Sequence, residues 1–460
     1  ITNANAFASN DTITFTAGAN GTITMQSNPP EITPNGTLTV DGNGPANTII
    51  SGNGSFRGFT LQASGTLTIL DLTIRDGSNS FGGGVYAGGV LNVSNVHFID
   101  NTASTVGGAI FLDGTALNVS NSVFHGNSSI AGGGAIRSTN NNGGSVTGTL
   151  TNNLFYNNTA ATNGGAAFFL RTGTYTVTNN TVTNNTSGVS SIIIDTSATV
   201  NLRNSIVANN IGGSACVRVA GTINVQNSLI EDGSCSITDG VNGNLTGDPA
   251  LDGSFQLTNT SIAINAGSNA LIPGGVTTDL AGNARIQNTT VDMGAYESPF
   301  TPPVPLVTIS ATDNAGAEAG SDAITFRITR TGSTTALLNV TYTISGDATN
   351  GTDYTPSLTG SVDIPAGQAF VDITITPNDD SIDEADETVI LTLTDGAAYD
   401  LGVTTNDTGT ITDDDVVGIV ITPTSGLITT EAGGTADFSV VLSSQPTSDV
   451  VINLSSNNTG

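Results

Sequence analysis

The feature that most constrains this sequence is a repeat of 23 to 31 residues that runs through its first half. With one apolar anchor per copy, successive copies are separated by 24, 26, 31, 27, 24 and 23 residues. The anchors are Ile74, Phe98, Phe124, Phe155, Val182, Ile206 and Leu229. A unit of this length cannot bury its apolar face alone and does so against its neighbours, so the repeat predicts a solenoid.

The content of each copy indicates β-structure. The segments are short, rich in Val, Ile, Thr and Phe, and bounded by Gly, Asn and Ser, and no apolar run has helical spacing. Residues 91–94 alternate, which places Leu91 and Val93 inside and their neighbours outside. We therefore predict an all-β fold that begins with a parallel β-helix, in which coils stack about 4.8 Å apart.

Two further positions recur with the repeat. Asparagine follows the anchor by three residues, and stacked asparagines at such a position can form a hydrogen-bonded ladder. The predicted ladder consists of Asn101, Asn127, Asn158, Asn185 and Asn209. Paired glycines such as Gly107-Gly108 suit tight corners. The longest copy contains an insert at 138–148, which should form a surface loop.

These motifs resemble those of a known group of proteins. Phe98-x-x-Asn101 with GGAI at 107–110, and the copies at 124–136 and 155–167, resemble the repeats of polymorphic outer-membrane proteins. Those repeats belong to the pectate-lyase-like superfamily of right-handed parallel β-helices. Residues 1–15 and 279–297 resemble the start and the end of such domains, so the resemblance implies a β-helix over residues 1–298. It implies little about activity.

Composition excludes several functions. The 460 residues include no lysine, nine arginines and 38 acidic residues, giving a net charge of −29. Binding of nucleic acid requires clustered cations, so we expect no nucleic-acid partner. No apolar run reaches the roughly 18–20 residues of a membrane helix, so we expect no membrane insertion. Low charge density and 57 glycines are typical of a secreted repeat protein. Because the sequence begins and ends within motifs, we expect a processed chain or part of a longer one.

Cysteine and histidine each occur twice. Cys216 and Cys235 are 19 residues apart, close to one coil, and form either a disulfide outside the cell or two unpaired core residues. His97 and His125 flank the Phe/Asn motif in adjacent copies, and we expect exposed coil positions rather than a catalytic pair.

The pattern changes after residue 298. Residues 299–305 are proline-rich and predict a stiff linker. Residues 306–416 alternate polar and apolar residues in seven segments, the pattern of an Ig-like antiparallel β-sandwich. The predicted strands lie at about 306–310, 322–330, 337–345, 359–364, 369–376, 387–394 and 407–412. Residues 417–460 predict the start of another β-sandwich module, with strands at 417–422, 435–442 and 449–454.

The clearest chemical signal is a set of carboxylates placed where strands of the sandwich end. Calcium takes six to eight oxygen ligands, which four acidic loops at one tip would supply. Glu318, GTDYT at 351–355, PNDDSIDEADETVILTL at 377–393 and TDDD at 412–415 resemble a Calx-beta domain over residues 304–416.

The Calx-beta resemblance implies a set of calcium ligands. They are Glu318, Asp353, Asp379, Asp380, Glu384, Asp413, Asp414 and Asp415. Asp383, Asp386 and Glu387 would be outer-shell or solvated. Ser381 stands where sodium–calcium exchangers have a third consecutive acid, which leaves the number of bound ions open.

Together these features predict a secreted bacterial surface or matrix protein with a structural or adhesive role, stabilised by Ca²⁺. We expect self-association, including filaments built through residues 417–460, and contacts with surface or matrix glycans. The alternative is a β-helix that cleaves polysaccharides as a lyase or hydrolase and carries accessory modules. No repeat position collects several acids and no nucleophile–base pair is evident, so we expect no enzymatic activity.

Overall fold

The computed structural model describes residues 1–2, 5, 10–33, 36–162, 164–302, 304–332, 334 and 336–456. The chain divides into two compact units, residues 1–303 and residues 304–460, and both are built from β-strands. The helical segments in the described ranges are 3₁₀ turns at Ala17–Ala19, Val241–Gly243 and Asn269–Leu271. No helix found there has the length and apolar character needed to cross a bilayer.

The first unit is a parallel β-solenoid, in which each strand pairs with its counterpart one coil later. The strands of its large sheet are Asp11–Thr14, Gly21–Thr24, Thr37–Asp41, Thr48–Ser51, Phe59–Leu61, Thr66–Arg75, Val85–Ala87, Val90–Ile99, Ile110–Asp113, Ala116–Ser120, Val123–His125, Ile136–Thr139, Thr147–Thr151, Leu154–Tyr156, Phe168–Thr178, Thr181–Thr183, Ser190–Arg203, Ile206–Ala208, Ser214–Arg218, Thr222–Gln226 and Leu229–Ile230. A smaller sheet contains Ser78–Phe81, Thr102–Val106, Ser128–Ser129, Thr159–Ala160 and Thr186–Ser187. The predicted insert lengthens the coil through a loop whose residues 141–145 are exposed.

The predicted asparagine ladder is present along the inside of one corner. Asn101, Asn127 and Asn158 are fully buried. The Asn127 Oδ1 accepts hydrogen bonds from the backbone N–H and the Nδ2 of Asn101, at 3.1 and 2.9 Å. The Asn127 Nδ2 donates to the Phe98 carbonyl at 2.9 Å, and Asn158 and Asn185 repeat the arrangement. The ladder therefore satisfies backbone groups that the corner removes from the strands.

The last member of this ladder was predicted wrongly. Asn185 donates to Asn210, whereas Asn209 is exposed and has a φ of +56°. The strand register explains the error, because Val182 pairs with Val207 and the Ile206 anchor was therefore one residue early. Residue 209 needs a side chain that tolerates a left-handed backbone conformation, and residue 210 needs one that can join the ladder. Asparagine meets both requirements and occupies both positions.

A second buried ladder, which the sequence reasoning missed, lies at the next corner. Backbone N–H groups of successive coils donate to side-chain oxygens one coil later, at 3.0 to 3.2 Å. The acceptors are Ser122, Asn153, Asn180, Ser205, Ser228 and Asn244. Three of these six residues are serine and three are asparagine, which hides the column from a search for one residue type.

Apolar columns fill the interior between these ladders. Phe98, Phe124 and Phe155 stack with ring centroids 4.8 and 4.6 Å apart. Beside them, Tyr175 occupies the core space above Gly148, where an added Cβ would lie 2.1 Å from the tyrosine ring. Glycine at position 148 is therefore required by the close approach of the aromatic side chain.

The chain changes direction after the last coil of the solenoid. Leu245 forms a bridge to Leu229, but the chain then folds back along the outside of earlier coils. The Gly294 N–H donates to the Asn204 carbonyl at 2.8 Å, and the Ala295 N–H donates to Thr181 at 2.9 Å. This returning segment thus bonds to the side of earlier coils.

A buried polar cluster holds this returning segment in place. The guanidinium of Arg285, which is 1% exposed, donates to Asn152 of the solenoid at 3.1 Å and pairs with Glu297. The carboxylates of Asp279 and Asp292 accept hydrogen bonds from nearby backbone N–H groups. Burial raises the pKa of Glu297 to about 8, against the opposing effect of Arg285. Arg285 is therefore a structural residue of this segment.

The two cysteines and two histidines occupy distinct positions. Cys216 and Cys235 form a disulfide, with Cα atoms 5.3 Å apart, so the paired alternative is confirmed. His97 pairs in register with Val123, while His125 pairs with Ile99 and stacks on Tyr156. The histidines therefore lie on opposite sides of the anchor and do not form a pair. Both are partly buried rather than exposed.

The second unit contains a sandwich of two five-stranded sheets, and all seven predicted strands are present. One sheet contains Tyr354–Thr355, Phe370–Pro377, Ile324–Arg330, Leu306–Asp313 and Asp400–Leu401. The other contains Ala315–Ala317, Asn406–Thr412, Glu387–Leu393, Leu338–Ser345 and Ser361–Ile364. The inward residues of both sheets form one core around Phe326 and Tyr354.

Residues beyond the sandwich form less structure than predicted. Ile419–Thr422 and Ser439–Leu442 pair as an antiparallel ribbon. The predicted third strand at 449–454 is absent, because these residues pair with neither strand of the ribbon. Alternating sequence favours a strand, but a strand forms only where an edge receives it.

The ladder generates a test of the register. Replacing Asn127 by alanine leaves the Phe98 carbonyl and the Asn101 N–H without buried partners, and should reduce the free energy of unfolding by about 1–3 kcal/mol. Urea denaturation of the full chain measures the loss. The control is Asn224→Ala, at an exposed asparagine on the outer face, which should change it by less than about 0.5 kcal/mol. Equal effects of both variants would contradict the ladder.

Candidate metal centre

Four chain segments bring carboxylates to one end of the sandwich. Glu318 follows the strand Ala315–Ala317, which pairs in parallel with Asn406–Thr412, so the acids after Thr412 leave at the same end. Asp353 precedes Tyr354–Thr355, and this short strand pairs with the end of Phe370–Pro377, which leads into Asp379. The sheet pairing therefore concentrates negative charge at one tip.

Glu318 lies at the base of this cluster. Glu318 is 6% exposed, and its backbone N–H donates a hydrogen bond to the Thr412 carbonyl at 3.2 Å. The Oε2 atom is buried and has no hydrogen-bond partner among the described residues. Burial, followed by the charges of Asp413, Asp380 and Glu384, raises the pKa of Glu318 to about 7. A cation beside this carboxylate would favour its ionised form and offset the cost of its burial.

Two groups of three carboxylates have oxygen atoms within 4.8 Å of one another. One group is Glu318, Asp380 and Asp415, and the other is Glu318, Asp379 and Asp414. Glu318 belongs to both, so the two groups form one continuous cluster. Asp380 Oδ1 also accepts a hydrogen bond from the Ile382 N–H at 2.7 Å, which fixes the loop that carries it.

The other three predicted ligands lie around this centre. Asp353 accepts a hydrogen bond from the Thr349 N–H, and its own carbonyl accepts one from the Asn378 N–H at 2.9 Å. Asp413 has a buried Oδ1 without a hydrogen-bond partner in the described residues. Glu384 is exposed, and its pKa is raised by desolvation and then by Asp353, Asp380 and Asp413.

Glu387, predicted as an outer-shell or solvated residue, interacts electrostatically with the cluster but belongs to neither close group. It begins the strand Glu387–Leu393, pairs in register with Ile411, and is half-buried. Burial raises its pKa to about 7, with further contributions from the charge of Asp353, a hydrogen bond to Asp353 and the charge of Glu384. Glu387 lies near the acidic loops because its strand partner, Ile411, is only two residues before Asp413. Asp383 and Asp386 are exposed.

The arrangement suits a hard cation. The two close groups contain carboxylate oxygens from several loops, and Glu318 and the neighbouring Asp413 each have a buried oxygen without a hydrogen-bond partner in the described residues. The neighbouring charges that raise the pKa of Glu318 and Glu387 all belong to other carboxylates. A divalent cation would neutralise this repulsion and satisfy the buried oxygens.

Comparison with protein families supports this description of the sandwich. Residues 304–415 match the Calx-beta domain family, so the second unit contains a Calx-beta β-sandwich. No curated protein matches the chain.

Three similar solved structures each match about a quarter of the chain. The apo-form Calx CBD1 domain is 24% identical, with a TM-score of 0.21, and the match covers 24% of this chain and 99% of that structure. CBD12 from CALX1.2 is 25% identical, with a TM-score of 0.22, and the match covers 24% of this chain and 44% of that one. The calcium binding domain CBD12 of CALX1.1 is 25% identical, with a TM-score of 0.21 and coverage of 23% and 44%.

The raised pKa values generate a test by pH. The pKa of Glu318 and of Glu387 is about 4.5 in the unfolded chain and about 7 in the folded one. At pH values between these two, both residues bind more protons in the folded state. The stability of the calcium-depleted sandwich should therefore fall as pH rises through this window. Hydrogen exchange of the amides in Ile324–Arg330, corrected for the intrinsic rate, should show less protection at pH 8 than at pH 5.5. Greater protection at pH 8 without calcium would contradict the prediction.

Proposed function

We propose that this chain is a secreted, calcium-stabilised structural or adhesive protein of a bacterial surface or extracellular matrix. The observation that carries the proposal is the buried Glu318 carboxylate, which has an unpartnered oxygen and faces acids from other loops. In this proposal the solenoid provides a stiff scaffold, and the sandwich becomes rigid when its acidic tip binds calcium.

Several observations support calcium as the ion. The two close groups contain only carboxylates, without the histidine or cysteine that zinc favours. The shared position of Glu318 supports binding of two neighbouring ions. Membership of residues 304–415 in the Calx-beta family agrees with the same assignment.

The solenoid has properties expected of an extracellular scaffold. Its buried ladders and stacked rings run through successive coils, so each coil braces the next. The Cys216–Cys235 disulfide fits an oxidising compartment. Stiffness along the stack and a covalent link near its end both support a mechanical or display role.

We favour this role over cleavage of polysaccharides. Within the described residues, the close groups of three metal-ligating side chains are in the sandwich and not on the solenoid. Among the solenoid arginines, Arg285 is committed to a buried ion pair, and Arg57 donates to Asn79 and to backbone carbonyls. Self-association, filament formation and glycan binding stay predictions.

The calcium proposal is tested by stability of the full chain. Calcium should slow hydrogen exchange in residues 304–415 and leave the solenoid unchanged, because ligands of the folded state stabilise it by mass action. Asp380→Ala should weaken this response at least about tenfold in calcium concentration, since it removes a charged ligand.

A matched control uses an acid at the opposite end of the same sandwich. Asp395 is exposed and follows the strand Glu387–Leu393. Asp395→Ala should therefore retain the full calcium response. Identical exchange with chelator and with millimolar calcium in the unsubstituted chain would overturn the proposal.

A further inference from the structure

A groove on the outer side of the solenoid has features that the proposed function does not use. Its volume is about 500 Å³, within the usual range of ligand sites. Val106, Val189, Ile193 and the ring of Phe169 form apolar walls. Gly132 adjoins the groove and has a φ of +116°. A Cβ added to Gly132 would lie 2.7 Å from the Phe169 ring, so this position has no room for a side chain.

The polar side of the groove contains an arginine that forms no close ion pair with any described residue. Arg137 precedes Phe169 by one coil, and its guanidinium carbon lies 3.8 Å from the centre of that ring. Its Nε is buried without a hydrogen-bond partner, and it forms no ion pair with any described residue. The ring therefore holds the guanidinium in place while its donors stay available.

A second arginine makes the groove locally positive. Arg171 also lines it, and its Nε lies 3.6 Å from Asp195 Oδ2, so the lining contains two guanidinium groups and one carboxylate. Burial and then the charge of Arg171 lower the pKa of Arg137 to about 10, which leaves it protonated at neutral pH. In a chain with a net charge of −29, a positive groove of this kind attracts a compact anion.

We propose that this groove binds a small organic carboxylate with an apolar body. The Arg137 guanidinium would donate to both carboxylate oxygens, which is the geometry that planar guanidinium groups favour. The body would lie against Val106, Val189 and Ile193. These aliphatic walls offer no partners to the hydroxyls of an acidic sugar, which would lose their hydration on binding.

Binding of sodium hexanoate to the full chain, followed by saturation-transfer NMR, tests the proposal. Hexanamide has nearly the same shape without the charge, and galacturonate has the charge with a polar body. Both should bind at least about tenfold more weakly than hexanoate. Equal binding of hexanamide would overturn the role of charge, and equal binding of galacturonate would overturn the role of the apolar walls.

Substitutions locate the site. Arg137→Gln should weaken hexanoate binding by at least about tenfold. Arg75→Gln, at an exposed arginine paired with Asp76 outside the groove, should not. Because Arg137 packs on Phe169, a second variant keeps the test independent of local packing. Val219→Asp changes a rim residue that is 62% exposed and should weaken binding through charge repulsion. Unchanged binding in both Arg137→Gln and Val219→Asp would refute the assignment.

Discussion

Hydrogen bonds between equivalent polar side chains in successive coils are the constraint on which the solenoid depends. A coil has to turn while its backbone remains buried, and each turn removes N–H and C=O groups from the sheets. The Asn127 side chain replaces those partners, since its oxygen accepts from Asn101 and its nitrogen donates to Phe98. The same solution at the next corner uses either asparagine or serine, as in Asn180 and Ser205. The apolar columns can then stack in register, because the corners fix the position of every strand.

The acidic tip of the sandwich is the opposite case, in which buried polar groups lack partners. Glu318 and Asp413 each have a buried oxygen that no described residue satisfies. The raised pKa of Glu318, at about 7, is the electrostatic consequence of placing carboxylates together with little solvent. The side chains of the solenoid ladders satisfy buried backbone groups of their corners internally, whereas in our proposal the acidic tip takes a cation from solution. This difference would make only the second unit responsive to calcium.

Periodic features of this chain were predictable from the sequence, and features that depend on packing were not. The repeat spacing gave the solenoid, and alternation gave the seven strands of the sandwich. Asn209 was exchanged for Asn210 because two adjacent asparagines satisfy different backbone requirements at one corner. The return of the segment around Arg285 could not be anticipated, since its partner Asn152 is 133 residues away. The half-buried position of Glu387 beside the acidic loops could not be predicted, because it follows from strand pairing with Ile411.

The central claim is that the buried Glu318 carboxylate is a calcium ligand. The most direct measurement is a crystal structure of the chain grown with calcium, with the ions located by anomalous scattering. The account predicts an ion within about 2.3–2.6 Å of a Glu318 oxygen and of oxygens from Asp380 or Asp414. An acidic tip without an ion at saturating calcium, or ions bound only to exposed carboxylates with Glu318 still unpartnered, would contradict it.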